Sequence, residues 1–397
     1  MPQLRTATPT PASRTPLRGW LAVGSVTAGL FAIVTVEILP IGLLPSIGRS
    51  FDVTDGTAGL TMTMPGFLAA LSAPLVTTAT ARVDRRTMLC AFTALLAAAN
   101  LLAAAAPAYW LVLVSRVLVG VTIGGFWSIG AGLAVRLVAP DSAARATAVI
   151  FSAVPLGSVL GVPAGTFVGE AAGWRTAFGL LGVLTLCVWG VMLAVIPPLP
   201  PEQALRVAVL RKAVRGRGVR GALWMTVIVV LAHFGAYTYV TPFLRHVTEV
   251  GPDQVTVFLL AYGAAGIAGN FVGGAAVARR PRAAFVTAAG LIACATLLLP
   301  VLGDRPGGAV VLLVVWGVAY GAVPVCSQAW FAAAVPRAPE AASVLFTASF
   351  QATLSLGALA GGAVLDRTSS STVMVLGGLT AVLAVAVGAR RGPRPAN

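Results

Sequence analysis

The chain has 397 residues, of which 58% are hydrophobic and only 10% charged, with a formal net charge of +15. That balance excludes an ordinary soluble domain and describes a polytopic membrane protein. The excess of positive charge would suit nucleic acid, but its placement along the chain, given below, assigns it to one membrane surface.

Residues 1–18 are polar, basic and rich in Thr, Pro and Ala, and read as a disordered cytoplasmic tail. A membrane-spanning helix needs about 20 mostly apolar residues. Twelve such stretches follow: 20–46, 57–80, 87–106, 110–134, 146–169, 174–196, 222–244, 253–278, 283–302, 309–334, 341–365 and 371–389. The first is too long for a signal-peptide core and lacks a small-residue cleavage site, so it stays as a helix. None alternates polar and apolar residues, which excludes a transmembrane barrel. The expected fold is all-α, with twelve transmembrane helices in two pseudo-symmetric six-helix bundles. The bundles cover 19–196 and 222–389. A basic cytoplasmic linker, 197–221, separates them, and 390–397 form a cytoplasmic tail. The halves echo each other: AVRLVAP (134–140) with AAAVPRAPE (332–340), and ARVDRR (81–86) with ARRPR (278–282).

With the N-terminus inside, most Lys and Arg fall in inner segments, among them Arg82, Arg85, Arg86, Arg136, Arg279 and Arg280, with a cluster between 206 and 220. The acids Asp52, Asp55, Glu170, Glu249, Asp253, Asp304 and Asp366 fall outside. The positive-inside rule then places both termini in the cytoplasm, at the plasma membrane, and nucleic acid drops out as a partner.

Away from their ends, the hydrocarbon stretches hold two charged side chains, Glu37 and Arg116. A charge at mid-bilayer costs about 2.5–3.5 kcal/mol on insertion scales, so such residues mark a transport path. At 1.5 Å per residue, Glu37 lies roughly 15 Å and Arg116 roughly 9 Å from the outer end of its helix. The two are expected at similar depth, able to neutralise each other. Positions 116, 120, 124, 128 and 132 are Arg, Gly, Gly, Ser and Gly, one small-residue face that turns Arg116 toward protein. Desolvation favours a neutral carboxyl group and a nearby cation favours the carboxylate. Glu37 is therefore read as a proton carrier, with a fixed Glu–Arg pair as the structural alternative. His233, on one face with Tyr237 and Thr241, is a third proton-coupling candidate or else a packing histidine. Trp127, Tyr237, Tyr239, Trp330 and Gln351 are candidates for a stacking and hydrogen-bonding substrate cavity. Trp20, Trp110, Trp174 and Trp224 sit at helix ends and read as interfacial anchors.

Gly157, Gly161, Gly165 and Gly169 repeat every four residues around Pro163, a seam for close helix packing with a bend. Asp84, Arg85 and Arg86 form a loop cluster that can latch one bundle to the other. The four cysteines lie inside helices without metal-ligand spacing and read as core filler. No phosphate-binding Lys-Ser/Thr loop, catalytic serine or metal cluster is present in the sequence, so no cofactor, no metal and no enzyme activity are expected.

VEILPIGLLPSIGRSFDVTDGTAG (36–59), DRR (84–86), RVLVGVTIGGFWSIGAGLAVRLVAP (116–140), GVPAGTFVGEAAGWRTAF (161–178), HFGAYTYVTPFL (233–244) and YGAVPVCSQAW (320–330) resemble the drug:proton antiporter branch of the major facilitator superfamily. The similarity is greatest to its purine-ribonucleoside and arabinose (sugar) efflux transporters. The resemblance implies roles for Glu37 as the first-helix carboxylate and for Asp84 and Arg85 as the gating motif. It likewise implies that Arg116 and Gly120 belong to a proton-linked Arg-x-x-x-Gly motif, and that Gly157, Gly161, Pro163 and Gly165 form the antiporter motif. Thr80 and Thr87 replace the gating motif's glycines, and Val162 separates a glycine and proline that are adjacent in the strict pattern. The expectation is a proton-coupled antiporter, functional as a monomer, that exports a nucleoside, sugar or drug. The alternatives are a proton-coupled importer or a broad multidrug exporter conferring drug resistance.

Overall fold

The computed structural model describes residues 16–80, 82–130, 133–200, 211, 213–336 and 339–391. The expected N-terminal tail, basic linker and C-terminal tail, and Gly132 of the small-residue face, lie wholly or partly outside these residues.

The described residues are helical, without strands. Twelve helices are long and apolar enough to span a bilayer: α1 (Leu17–Ile38), α2 (Asp55–Val76), α3 (Arg85–Ala105), α4 (Tyr109–Trp127), α5 (Pro140–Ala172), α6 (Trp174–Val195), α7 (Gly218–His246), α8 (Pro252–Val277), α9 (Pro281–Leu302), α10 (Pro306–Ala334), α11 (Ala341–Leu365) and α12 (Ser370–Gly388). An even number of spans returns both chain ends to one face, the terminus side; the opposite face is the far side. Large apolar side chains such as Leu71, Leu75, Phe167, Phe271 and Val311 cover the outside, a surface suited to lipid. Membrane hydroxyls bond to their own helices, as Thr93 does to the Leu89 carbonyl and Thr166 to that of Val162, so few polar groups are left facing hydrocarbon.

The two halves are built alike. In α1–α6 the close pairs are α2 with α4, α3 with α6, and α1 with α5; in α7–α12 they are α8 with α10, α9 with α12, and α7 with α11. The match extends to single residues. A side chain on Gly120 or Gly124 of α4 would strike the α2 backbone at Pro65 or Ala69, and one on Gly317 or Gly321 of α10 would strike the α8 backbone at Tyr262 or Gly266. Each half has its own apolar core.

Prolines interrupt the helices that line the interface between halves. The α1 helix stops at Ile38 and a new helix, Pro40–Phe51, starts immediately. Pro40 has no N–H, so the Val36 carbonyl has no helical donor. In α5 a π-helical turn, Gly157–Gly161, lies between Pro155 and Pro163, a distortion frequent at functional sites.

Two sequence expectations fail here. Trp174 is not an interfacial anchor: it is buried, donates to Ser50 Oγ at 2.9 Å and packs edge-on against Phe178. Cys187 and Cys294 are exposed on the helix surface and fill no core, unlike the buried Cys90 and Cys326.

Candidate functional site

A cavity of about 380 Å³ lies between the halves. It extends from Glu37 in α1 to Ala332, Ala342 and Ser343 at the terminus-side ends of α10 and α11. Its far-side end is closed by polar contacts between halves. Asp366 Oδ2 accepts from Thr54 Oγ1 at 2.8 Å and its Oδ1 from the Gly56 N–H at 3.0 Å. Arg245, at the far end of α7, pairs with Glu170, at the far end of α5.

The first half contributes apolar side chains from α1, α4 and α5, including Val34, Ile38, Trp127, Phe151 and Val159, together with one carboxylate, Glu37. The glycine seam of α5 is what holds α1 in place. A Cβ on Gly157 would press on Val34, one on Gly161 on Thr35, one on Gly165 on Leu39, and one on Gly169 on Leu43. Gly157, Gly161, Pro163 and Gly165 thus sit at the contact between the distorted part of α5 and the helix that carries Glu37.

Glu37 and Arg116 do not pair. Glu37 Oε1 accepts from Gln351 Nε2 of α11 at 2.8 Å. Arg116 is fully buried on the other side of α1, donates through Nη1 to the Val36 carbonyl at 3.0 Å and lies over the Phe178 ring at 5.0 Å. It therefore fills the acceptor that Pro40 leaves without a donor, while its Nε and Nη2 have no partner. Equal depth did not make a pair, because the two side chains leave α1 and α4 in different directions.

The second half supplies rings. His233 and Tyr237 of α7, Tyr262 of α8 and Tyr320 of α10 form a column of near-parallel planes. His233 lies 3.3 Å from Tyr320 at an interplanar angle of 5°, and Tyr237 lies 4.3 Å from Tyr262 at 25°. Trp316 meets the column edge-on and donates from Nε1 to His233 Nδ1 at 3.1 Å. His233 thus has its Nδ1 committed as an acceptor. The hydroxyls of Tyr262 and Tyr320 are buried without a partner although both residues line the cavity. An unpaired buried hydroxyl is costly.

Of the expected cavity residues, Trp127, Tyr237 and Gln351 line it. Tyr239 does not: it is buried toward the far side and its hydroxyl donates to the Ala358 carbonyl at 2.6 Å. Trp330 packs edge-on against Phe285 in the core of the second half. The expected latch between bundles at Asp84 is absent among the described residues. Asp84 caps α3, accepting from the Arg86 N–H at 2.8 Å, and binds the Leu199 N–H at 2.9 Å. Arg86 donates to the Leu193 carbonyl at 2.7 Å, and the Arg85 N–H to that of Leu199. The cluster staples the end of α6 within its own half. Sequence reasoning missed Tyr262, Tyr320, Asn270 and Gln328; the available signal was tyrosine in mid-span, where a hydroxyl needs a partner. Among the described residues no three metal-ligating side chains converge.

The sequence profile of the Major Facilitator Superfamily matches residues 26–352. A Pseudomonas aeruginosa protein named transcription regulatory protein OpdE is 33% identical, over 88% of each chain. The purine ribonucleoside efflux pump NepI of Escherichia coli K12 is 29% identical, covering 92% of this chain and 94% of that one. A probable sugar efflux transporter of Helicobacter pylori is 28% identical, covering 89% and 91%. Among solved structures, a bacterial homologue of the human lysosomal transporter Spinster, in an inward-facing and occupied conformation, shares the fold with a TM-score of 0.77 at 16% identity, over 95% of this chain and 97% of that one.

Proposed function

The chain belongs to the Major Facilitator Superfamily and is a multi-pass membrane transporter, not an enzyme; from that premise we propose that it is a proton-coupled antiporter exporting a small uncharged solute with a planar ring, of the nucleoside kind. The observation that carries this reading is the make-up of the cavity. Among the described residues that line it, Glu37 is the one carboxylate and none is Lys or Arg, and the opposite wall is a column of rings. Such a wall stacks planar groups, and the unpaired hydroxyls of Tyr262 and Tyr320 offer them hydrogen bonds.

In this reading the terminus side is the cytoplasm, since the basic residues concentrate there, and the membrane is the plasma membrane. Cargo enters from the cytoplasm, Glu37 gives up its proton, and the far-side contacts open to release cargo outside. A proton then returns the carrier. One charge moving through 100 mV supplies about 2.3 kcal/mol, enough for roughly a 50-fold gradient of a neutral solute. The cavity is complete within one chain, which supports a functional monomer. The efflux names of the E. coli and H. pylori relatives support the outward direction.

Everted membrane vesicles with an acidified lumen test the reading. Labelled inosine should accumulate against its gradient and leak out when an uncoupler is added. The Glu37→Gln variant should lose uphill accumulation and keep downhill exchange. Full uphill transport by that variant would end the carrier role. The largely apolar first-half wall favours a second reading, a broad drug exporter, which predicts that unrelated amphipathic drugs compete with inosine. An importer predicts accumulation in right-side-out vesicles instead.

A further inference from the structure

We propose that Gln351 is the partner that senses the proton on Glu37: protonation lets the two side chains close a two-bond carboxylic acid–amide pair between the halves, and cargo opens it. Its place in the transport cycle rests on the antiport reading above; the hydrogen-bond change itself needs no cargo.

Three observations lead there. First, the contact joins opposite halves, α1 to α11, at the cavity, whereas the Asp366 and Arg245 contacts join the halves at the far end. Second, the contact is half made. Gln351 Nε2 donates to Glu37 Oε1 at 2.8 Å, but Gln351 Oε1 is buried with no partner. Third, α2 packs closely over Gln351 at Gly66, where a Cβ would come to 2.7 Å of the Gln351 carbonyl and 3.5 Å of Oε1, so Oε1 is enclosed beside a residue that has no side chain to bond it.

An amide offers two N–H donors and one carbonyl oxygen, whereas a carboxylate only accepts. Ionised Glu37 therefore meets the amide through one hydrogen bond and has nothing to give Oε1. Protonated Glu37 carries an O–H, and Oε1 of the same amide is a buried acceptor without a partner. The acid form thus makes two bonds between halves where the ionised form makes one. The proton comes from water on whichever side the cavity opens, and returns to water when the pair parts.

The other ionisable groups that face Glu37 do not supply this bond. His233, Tyr237, Tyr262 and Tyr320 face the cavity from α7, α8 and α10. Of these, His233 is bound to Trp316, and the Tyr262 and Tyr320 hydroxyls bond neither Glu37 nor Gln351, having no partner at all. The α5 and α11 residues lining the cavity are not ionisable. The one acid of α2 is Asp55, at its far-side end. Arg116 of α4 is held behind α1 by the Val36 carbonyl.

In this arrangement the proton-bound carrier rests with the far side shut and the cavity extending to the terminus side. Cargo that hydrogen-bonds to either Glu37 or Gln351 competes with the pair and expels the proton as it binds. That competition for one residue pair couples cargo binding to proton release.

The test measures conformation in the full-length protein, in lipid nanodiscs without cargo. Spin labels replace exposed Asp141 and Arg280, on the terminus side of opposite halves, after Cys90, Cys187, Cys294 and Cys326 are changed to serine. Between pH 8.5 and pH 5.5 the ratio of terminus-open to terminus-closed distances should rise about fivefold, the worth of one added hydrogen bond. Glu37→Gln, whose own amide can donate to Oε1, should hold the acid ratio at every pH. Gln351→Leu should flatten the response, and Gln351→Met serves if the leucine variant does not fold. An unchanged pH response in the Gln351 variant, no response in the parent protein, or an alkaline-like ratio in Glu37→Gln would each overturn the proposal. Failure of inosine export with these distances behaving as expected would remove the antiport reading alone.

Discussion

In the first half the membrane-embedded layer holds two ionisable groups on α1 and α4, one facing the cavity and one sealed behind a helix. In the second half the matching layer holds a histidine, three tyrosines and a tryptophan on α7, α8 and α10. The backbones around them are arranged alike. Gly120 and Gly124 approach Pro65 and Ala69 as Gly317 and Gly321 approach Tyr262 and Gly266. That register sets Leu313 where the first half has Arg116, and both are fully buried. Both leading helices break ahead of a proline, α1 at Pro40 and α7 between Tyr237 and Val240 before Pro242. Only in the first half does the matching position carry a donor, Arg116, which bonds the Val36 carbonyl, whereas Leu313 has none to give. One scaffold, used twice, thus carries charge management on one side and solute contact on the other.

The contrast can be broken at three points, in descending order of expected effect. Gly161→Val places three carbons where even a Cβ would overlap Thr35; overpacking of this kind costs about 1–3 kcal/mol or more. The α1–α5 contact should open, with inosine export abolished in vesicles and the melting temperature clearly lowered. Arg116→Met leaves the Val36 carbonyl unpaired, a cost of about 1–3 kcal/mol, whereas Leu313→Met should cost less than about 1.5 kcal/mol. Equal losses in thermal unfolding would show that the halves do not differ in this respect. The smallest effect separates two tyrosines. Tyr239→Phe loses the bond to the Ala358 carbonyl and should cost about 1 kcal/mol while leaving inosine binding alone. Tyr320→Phe removes a hydroxyl that has no partner and should leave stability unchanged while weakening binding several-fold in calorimetry. The reverse pattern would move the solute site away from the ring column.

The twelve helices were legible because hydrocarbon demands long apolar runs, and the duplication was legible because linkers and glycines recur in order. The small-residue stripe correctly turned Arg116 toward protein. Its partner was not legible, since depth along a helix says nothing about direction around it. The clue was Pro40, which removes a donor four residues after Val36. The same limit explains Tyr239. The helix that carries Tyr237 ends there and Tyr239 lies in the break before Val240, so the two do not share a face. Four-residue spacing was the better guide: Tyr262, Gly266 and Asn270 on α8, and Tyr320, Pro324 and Gln328 on α10, all line it. Trp330, two positions past Gln328, turns into the core. The charge of Asp84 was visible in the sequence and its position as a helix cap was not; with the cavity extending to the terminus side, its carboxylate is held within its own half.

The closure at the far side is made of an aspartate on a backbone N–H, a threonine hydroxyl and an arginine–glutamate pair, all at helix ends where water is near. A greasy plug of the same strength would have to expose hydrocarbon each time it parted. Polar groups exchange one set of partners for water and lose little in doing so. Since each 1.36 kcal/mol added to a barrier slows a step tenfold, a seal of this make-up lets the carrier stay tightly shut between cycles without becoming slow within them.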